Sequence, residues 1–155
     1  MTAERVKKYL KKFGMENNIL EFDQSSATVE LAAQAVGVEP DRICKTLSFI
    51  LSDNRCALIQ LAGQARVDNK KFRKEFGCKA KMLKPDQVKE FTGYEIGGVC
   101  AFDIDTDRVD VWCDISLKKY DSVFPACGTS NSAIQIAPEK LYDITESKGW
   151  IDVSK

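Results

Sequence analysis

The residues available for chemistry are defined first by an absence, since the chain contains no histidine. Ser-His-Asp and Cys-His catalysis, His-ligated zinc and any imidazole general base are therefore excluded within it. Lysine, carboxylates, thiols, hydroxyls, backbone amides and the substrate itself remain. Among these, Lys45 stands out in "CKTLSFIL", residues 44–51. Read as a strand, the segment puts Ile43, Lys45, Leu47, Phe49 and Leu51 on one face and Cys44, Thr46, Ser48 and Ile50 on the other. Its only charge then lies on the more apolar side. A lysine at a sheet edge can lay its stem on apolar surface and keep its ammonium in water, which by itself needs no function.

Two small-residue segments join the lysine. In "TGYEIGGVC" the pair Gly97-Gly98 falls between a helix and an expected strand, and in "PACGTSNSAI" Ala126, Cys127 and Gly128 form a turn between strands. Glycine in such places lets backbones approach closely or adopt positive φ, and each segment taken alone is a plain turn. Beside an ammonium on an apolar face, they supply the parts for backbone N–H donors aimed at a polarised carbonyl.

Other candidate chemistry is weaker. Six cysteines, at 44, 56, 78, 100, 113 and 127, include no C-x-x-C pair and read as free thiols in a reducing compartment. "DIDTDRVDVWCD", residues 103–114, imitates a calcium loop. It has Arg108 where the sharp turn needs Gly, and Asp114 where Glu is usual. Val109, Val111 and Cys113 alternate as in a strand. No metal and no cofactor are expected.

The elements that must position these residues follow from periodicity and punctuation. Val6, Leu10 and Phe13 share a helical face that ends at Gly14, and "NILEF" is a short strand. Thr28 caps a helix with the stripe Val29, Ala32, Ala33 and Val36, stopped by Gly37. Pro40 and Asp41 turn the chain into the lysine strand, and "SDNR" then folds residues 43–62 into a hairpin. "NKKFRKEFG" is a basic helix, "AKML" a strand, and "PDQVKEFTG" a helix with Pro85 in its first turn. Strands are expected around 99–102, 109–113, 122–126 and 132–136, then a helix from Pro138 and an edge strand at "WIDV". The whole chain, residues 1–155, reads as one α+β domain.

Charge is balanced overall but not along the chain. Residues 66–84 carry eight Lys or Arg against Asp68 and Glu75, whereas residues 86–114 carry eight acids against Lys89 and Arg108. Such a layout suits contact with a polyanion through one surface, and a solvated helix face explains the basic part equally well. No apolar run approaches the roughly 20 residues that cross a bilayer, and the charged "MTAERVKKYLKKFG" is unlike a signal peptide. The expected location is the cytoplasm, without membrane contact.

"TVELAAQAVGVEPDRICKTLSFIL", "AKMLKPDQVKEFTGYEIGGVCAFD" and "ACGTSNSAIQIAPEKL", in that order, closely resemble the YbaK/aminoacyl-tRNA synthetase-associated domain family. It contains free-standing YbaK and ProXp editing proteins and the editing insertion of bacterial prolyl-tRNA synthetase. The resemblance spans roughly residues 20–145. It implies a curved mixed β-sheet forming a partly closed barrel flanked by helices. It also implies hydrolysis of the ester joining a wrong amino acid to the 3′-terminal adenosine of a tRNA, commonly proline tRNA. The family's lysine falls on Lys45 with Thr46 beside it, its glycine-pair loop on Gly97 and Gly98, and its second small-residue loop on Ala126 to Gly128. Members often continue the pair as G-G-V-S-P-x-G, whereas this chain has Cys100, Ala101 and Asp103 in place of the Ser, Pro and final Gly.

An aminoacyl ester is activated, carries an α-ammonium and has a neighbouring ribose 2′-hydroxyl, so position and electrostatics accelerate its cleavage without a protein nucleophile. The expected partner is the acceptor end of an aminoacyl-tRNA, with an aminoacyl-tRNA synthetase as a further candidate. Lys45 is expected to orient the adenosine or ester, and amides near Gly98 and Gly128 to stabilise the oxyanion. Thr46 adds a hydrogen bond only through a twist or bulge, because its strand parity is opposite. Phe22, Val29 and the lysine face line the specificity pocket. Two competitors stand beside this reading. One is a catalytically silent tRNA- or synthetase-binding module of the same fold; the other is a thiol protein using Cys44, Cys100 or Cys127.

Overall fold

The computed structural model describes residues 4–155. At its centre, β2 (Ile43–Ile50) and β3 (Cys56–Ala62) form the expected hairpin, with Lys45 opposite Leu61 and Leu47 opposite Ile59. Every residue of β3 is buried, because parallel β4 (Val109–Asp114) covers its other edge. Short β5 (Phe124–Pro125) and β7 (Trp150–Ile151) complete a five-stranded mixed sheet in the order β5-β2-β3-β4-β7. A second sheet pairs β1 (Ile19–Glu21) with β6 (Ser132–Ile134). The chain thus makes two sheets flanked by helices, with no closed barrel among the described strands, and an isolated bridge between Val123 and Ile136 joins them at the corner.

Strand alternation sends side chains to two faces, each with its own helices. On one face, Phe49, Ile59 and Leu61 pack with Phe72 of α3 (Asn69–Phe76). Phe72 is fully buried, and that burial stabilises α3 against the sheet by about 1.5–3 kcal/mol. On the other face, Leu58, Val109 and Val111 pack with Val88 of α4 (Pro85–Thr92). Further along that face, Cys44 and Cys113 meet Val6, Tyr9 and Leu10 of α1 (Glu4–Lys11) and Leu141 and Ile144 of α5 (Pro138–Ile144). Finally, α2 (Val29–Val36) begins at Thr28, whose hydroxyl accepts from the Leu31 amide, and sets Ala32 and Ala33 against Ile43 and Phe124.

Two expected strands are absent. Residues 99–102 are irregular although Cys100, Ala101 and Phe102 are buried. This apolar run packs as a loop, pinned where the Tyr94 hydroxyl donates to the Phe102 carbonyl at 2.6 Å. "AKML" makes only an isolated bridge, Met82 to Phe49. The acidic segment is a turn that enters β4, and Asp110 within it pairs with Arg55 at 2.7 Å. No helix among the described residues is long and apolar enough to cross a membrane.

Candidate active site

A cavity of about 330 Å³ opens along the outer edge of β2. Its position follows from hydrogen bonds that stop short on both sides. The parallel pairing of β5 with β2 covers only Ile43 and Cys44. Further along, Leu83 N–H donates to the Ser48 carbonyl at 3.1 Å, and Ile50 N–H donates to the Lys81 carbonyl at 2.9 Å. Backbone groups alternate in direction along a strand, so the Thr46 amide and carbonyl face the same edge as those of Ser48 and Ile50. Between the two short pairings, the edge at Thr46 is open.

Lys45 and Thr46 both line this opening. The opposite parity of their side chains is no obstacle, because the cavity wraps the strand edge and does not lie on one sheet face. The β2–β3 ladder is regular through both residues, so no bulge is needed. Lys45 is half-buried, and its ammonium donates to the Ala65 carbonyl just beyond β3. Burial lowers its pKa below that of an ordinary lysine, with Arg66 acting in the same direction and Asp41 and Glu30 opposing it. An ammonium has three N–H donors, and one is used here.

The turn that receives Lys45 is itself fixed. Asp41 accepts from the Gln64 amide at 3.0 Å and from the Tyr120 hydroxyl at 2.5 Å, and its carbonyl accepts from Gly63 N–H at 3.3 Å. A Cβ on Gly63 would lie 2.1 Å from the Pro40 carbonyl oxygen, so only glycine lets the turn close against the start of β2. Burial raises the Asp41 pKa, but bonds from Tyr120, Gln64 and Lys119 outweigh it and hold the carboxylate below its ordinary value. Asp41, Gly63 and Ala65 were missed in the sequence because their contacts are tertiary.

The two glycine loops come together behind the cavity. Gly98 is buried against the backbone of Gly128 and Thr129, while Gly97, at φ +95, faces Ala27 of the loop before α2. The Ser26 hydroxyl donates to the Ser130 carbonyl at 3.0 Å, fastening that loop to the second one. Gly97, Ala126 and Val29 line the cavity, whereas Gly98, Cys127 and Gly128 stand behind its wall. The Gly98 N–H donates to the Glu95 carbonyl at 3.0 Å. It is therefore engaged within its own turn and does not point at a ligand. Phe22 packs with Ala32, Ala33 and Phe124, one layer away from the cavity.

Sequence reasoning did not find the remaining wall: Leu83 and Val88 at one side, Phe124 and Ser132 at another. Met82 and Ile96, 54% and 61% exposed, give it an apolar rim. Five of the six thiols are buried. Burial pushes Cys44 and Cys127 well above the ordinary thiol value and Cys100 up to about 11, so these sulfurs stay protonated near neutrality.

The missing glycine of the first loop has a structural substitute. Asp103 adopts φ +56, a conformation that Asp tolerates better than most residues. Arg5 holds it there, donating to its carboxylate at 3.0 Å and to its carbonyl at 2.6 Å.

Similar architecture and sequence occur in other proteins. Over 155 residues the chain is 48% identical to YwhH of Bacillus subtilis, an uncharacterized protein, covering 100% of this chain and 98% of that one. A match at 23% identity covers 82% of this chain and 77% of an Enterococcus faecalis protein named "Putative Cys-tRNA(Pro)/Cys-tRNA(Cys) deacylase EbsC". Among solved structures, that of "a putative trans-editing enzyme for prolyl tRNA synthetase" superposes with a TM-score of 0.87 at 30% identity, covering 99% of this chain and 96% of the other. A model of the "Aminoacyl-tRNA editing domain" matches residues 23–144, and the chain belongs to that YbaK-type family.

Proposed function

We propose that this protein is a trans-editing deacylase, hydrolysing the ester of a mischarged tRNA, with proline tRNA carrying Cys, Ala or another small amino acid as the substrate class. The observation that carries the reading is that Lys45, whose ammonium is bonded to the Ala65 carbonyl, and the open β2 edge at Thr46 line one cavity. The family supports the chemistry, and the names of EbsC and the prolyl-tRNA synthetase relative support the choice of tRNA.

The edge matches an aminoacyl ester group by group. The Thr46 carbonyl accepts from the α-ammonium, and the N–H of Thr46 or Ser48 donates to the ester carbonyl as negative charge develops on it. This is strand-edge recognition on the scale of one residue. Lys45, tethered by one N–H, turns its remaining donors towards the ribose or the ester oxygen. Water, positioned by these groups or by the ribose 2′-hydroxyl, adds to the carbonyl carbon. The C–O bond to the ribose then breaks, and the leaving oxygen takes the proton that water gives up. In this arrangement the oxyanion donors lie on β2, and the Gly98–Gly128 contact keeps the opposite wall in place.

Val29, Leu83, Val88 and Val99 make that wall apolar. A hydrophobic pocket distinguishes neighbours differing by one methylene by about 1–3 kcal/mol, which suits a second sieve acting on errors. The test is incubation with proline tRNA charged separately with Ala, Cys, Ser, Thr and Pro. Accelerated loss of one small-residue ester, with Pro spared, is expected. Binding of the tRNA without acceleration of any ester would make the chain a binding module instead.

A further inference from the structure

The cationic stretch 66–84 folds into two elements that face each other across a groove. Asn69, Lys70 and Arg73 of α3 form one side, and Lys79 and Ala80 of the following extended segment form the other, around about 380 Å³. Lys70, Arg73 and Lys79 are exposed. Among the described residues none of the three forms an ion pair, whereas Lys71 on the same helix is paired with Asp152 at 3.0 Å. Three unneutralised cations around one concavity repel one another, and a polyanion relieves that repulsion.

The groove also has a fixed relation to the cavity. Ala80 lines the groove and Met82 lines the cavity, so at most about 7 Å of extended chain separates them. That chain is held to β2 by the bonds from Ile50 N–H to the Lys81 carbonyl and from Leu83 N–H to the Ser48 carbonyl. A polymer whose end lies at Thr46 and leaves past Met82 runs directly towards the three cations.

We propose that this groove binds backbone phosphates of the substrate tRNA's acceptor end while the esterified terminus occupies the cavity. The inference rests on the deacylase reading. Arg73 presents a planar fork suited to a phosphate, and Lys70 and Lys79 act as point charges on either side.

The test is steady-state deacylation by the triple variant Lys70→Gln, Arg73→Gln, Lys79→Gln on two substrates bearing the same amino acid. One is intact mischarged tRNA, and the other is the aminoacyl ester of adenosine. For tRNA, KM is expected to rise about 10- to 100-fold at 0.1 M salt, and the slope of log KM against log salt to fall by about two, as two to three phosphate contacts are lost. The rate on the adenosine ester is expected to stay within twofold. An unchanged KM and slope, matching the control Lys118→Gln, Lys148→Gln outside the groove lining, would overturn the groove. If the wild-type protein cleaves neither substrate, the deacylase reading fails by itself. Salt-dependent binding of uncharged tRNA by the same variants then decides the groove: weakened binding supports it and unchanged binding overturns it. Loss of binding to an acidic protein surface with tRNA binding intact would also overturn it.

Discussion

Gly98 and Gly128 lie in backbone contact: a Cβ on Gly98 would stand 2.8 Å from the Gly128 carbonyl carbon and from the amide nitrogen of Thr129. Neither residue reaches the cavity, yet their contact sets the distance between the two loops that wall it. Gly98→Ala must push those loops apart, at a cost of about 1–3 kcal/mol for overpacking. The expected outcome is a lower melting temperature together with a loss of deacylation larger than the fraction unfolded explains, read by thermal unfolding and kcat/KM on the same preparation.

Thr46 separates the roles of side chain and backbone. If the hydroxyl is incidental, Thr46→Val lowers kcat/KM by less than about tenfold. Thr46→Pro removes the N–H that faces the open edge, where proline is tolerated because no ladder bond is lost. With a preserved fold by circular dichroism, it is expected to lose about 100-fold or more, as for removal of an oxyanion donor.

Asp103 is expected to tolerate glycine and reject branched residues. Asp103→Gly keeps access to φ +56 and gives up only the partly exposed Arg5 pair, so stability changes by about 1 kcal/mol or less. Asp103→Val forces a branched side chain into the left-handed region at about 1–3 kcal/mol. Denaturant midpoints of the two variants check the difference.

Acid should loosen the Lys45 turn through Asp41. Its pKa is lowered in the folded chain, so the folded state binds this proton less readily than the unfolded one. The stabilisation is fully present above the unfolded value near 4 and is lost as pH falls through the folded value. Asp41→Asn is expected to be less stable by about 1.5–3 kcal/mol at pH 7. The gap to wild type should narrow below about pH 4 in urea titrations.

Much of the fold was legible because its signals are local. Thr28 and Gly37 bracket α2, Pro85 and Gly93 bracket α4, and alternation with a polar turn gives the β2–β3 hairpin. The family motifs pointed to Lys45, Thr46, Gly97 and Ala126, which the fold brings to one cavity. What was not legible depends on partners distant in sequence. Residues 99–102 have the apolar character of a strand but join no sheet, packing instead as a buried loop. The opening at Thr46 exists because β5 stops at Pro125 and the next pairing starts at Ser48. Nothing local in the sequence marked either limit. Gly98 was expected to donate to the oxyanion, yet the Glu95 carbonyl already holds its N–H. Only the folded turn reveals that.

The most direct test of the account is the rate of ester loss from mischarged proline tRNA with wild-type protein and with Lys45→Ala. Removing the ammonium of Lys45, which lines the cavity together with Thr46, is expected to reduce kcat/KM by at least about 100-fold while the fold and tRNA binding persist. Hydrolysis at the wild-type rate by Lys45→Ala would contradict the assignment of the cavity as the site of chemistry.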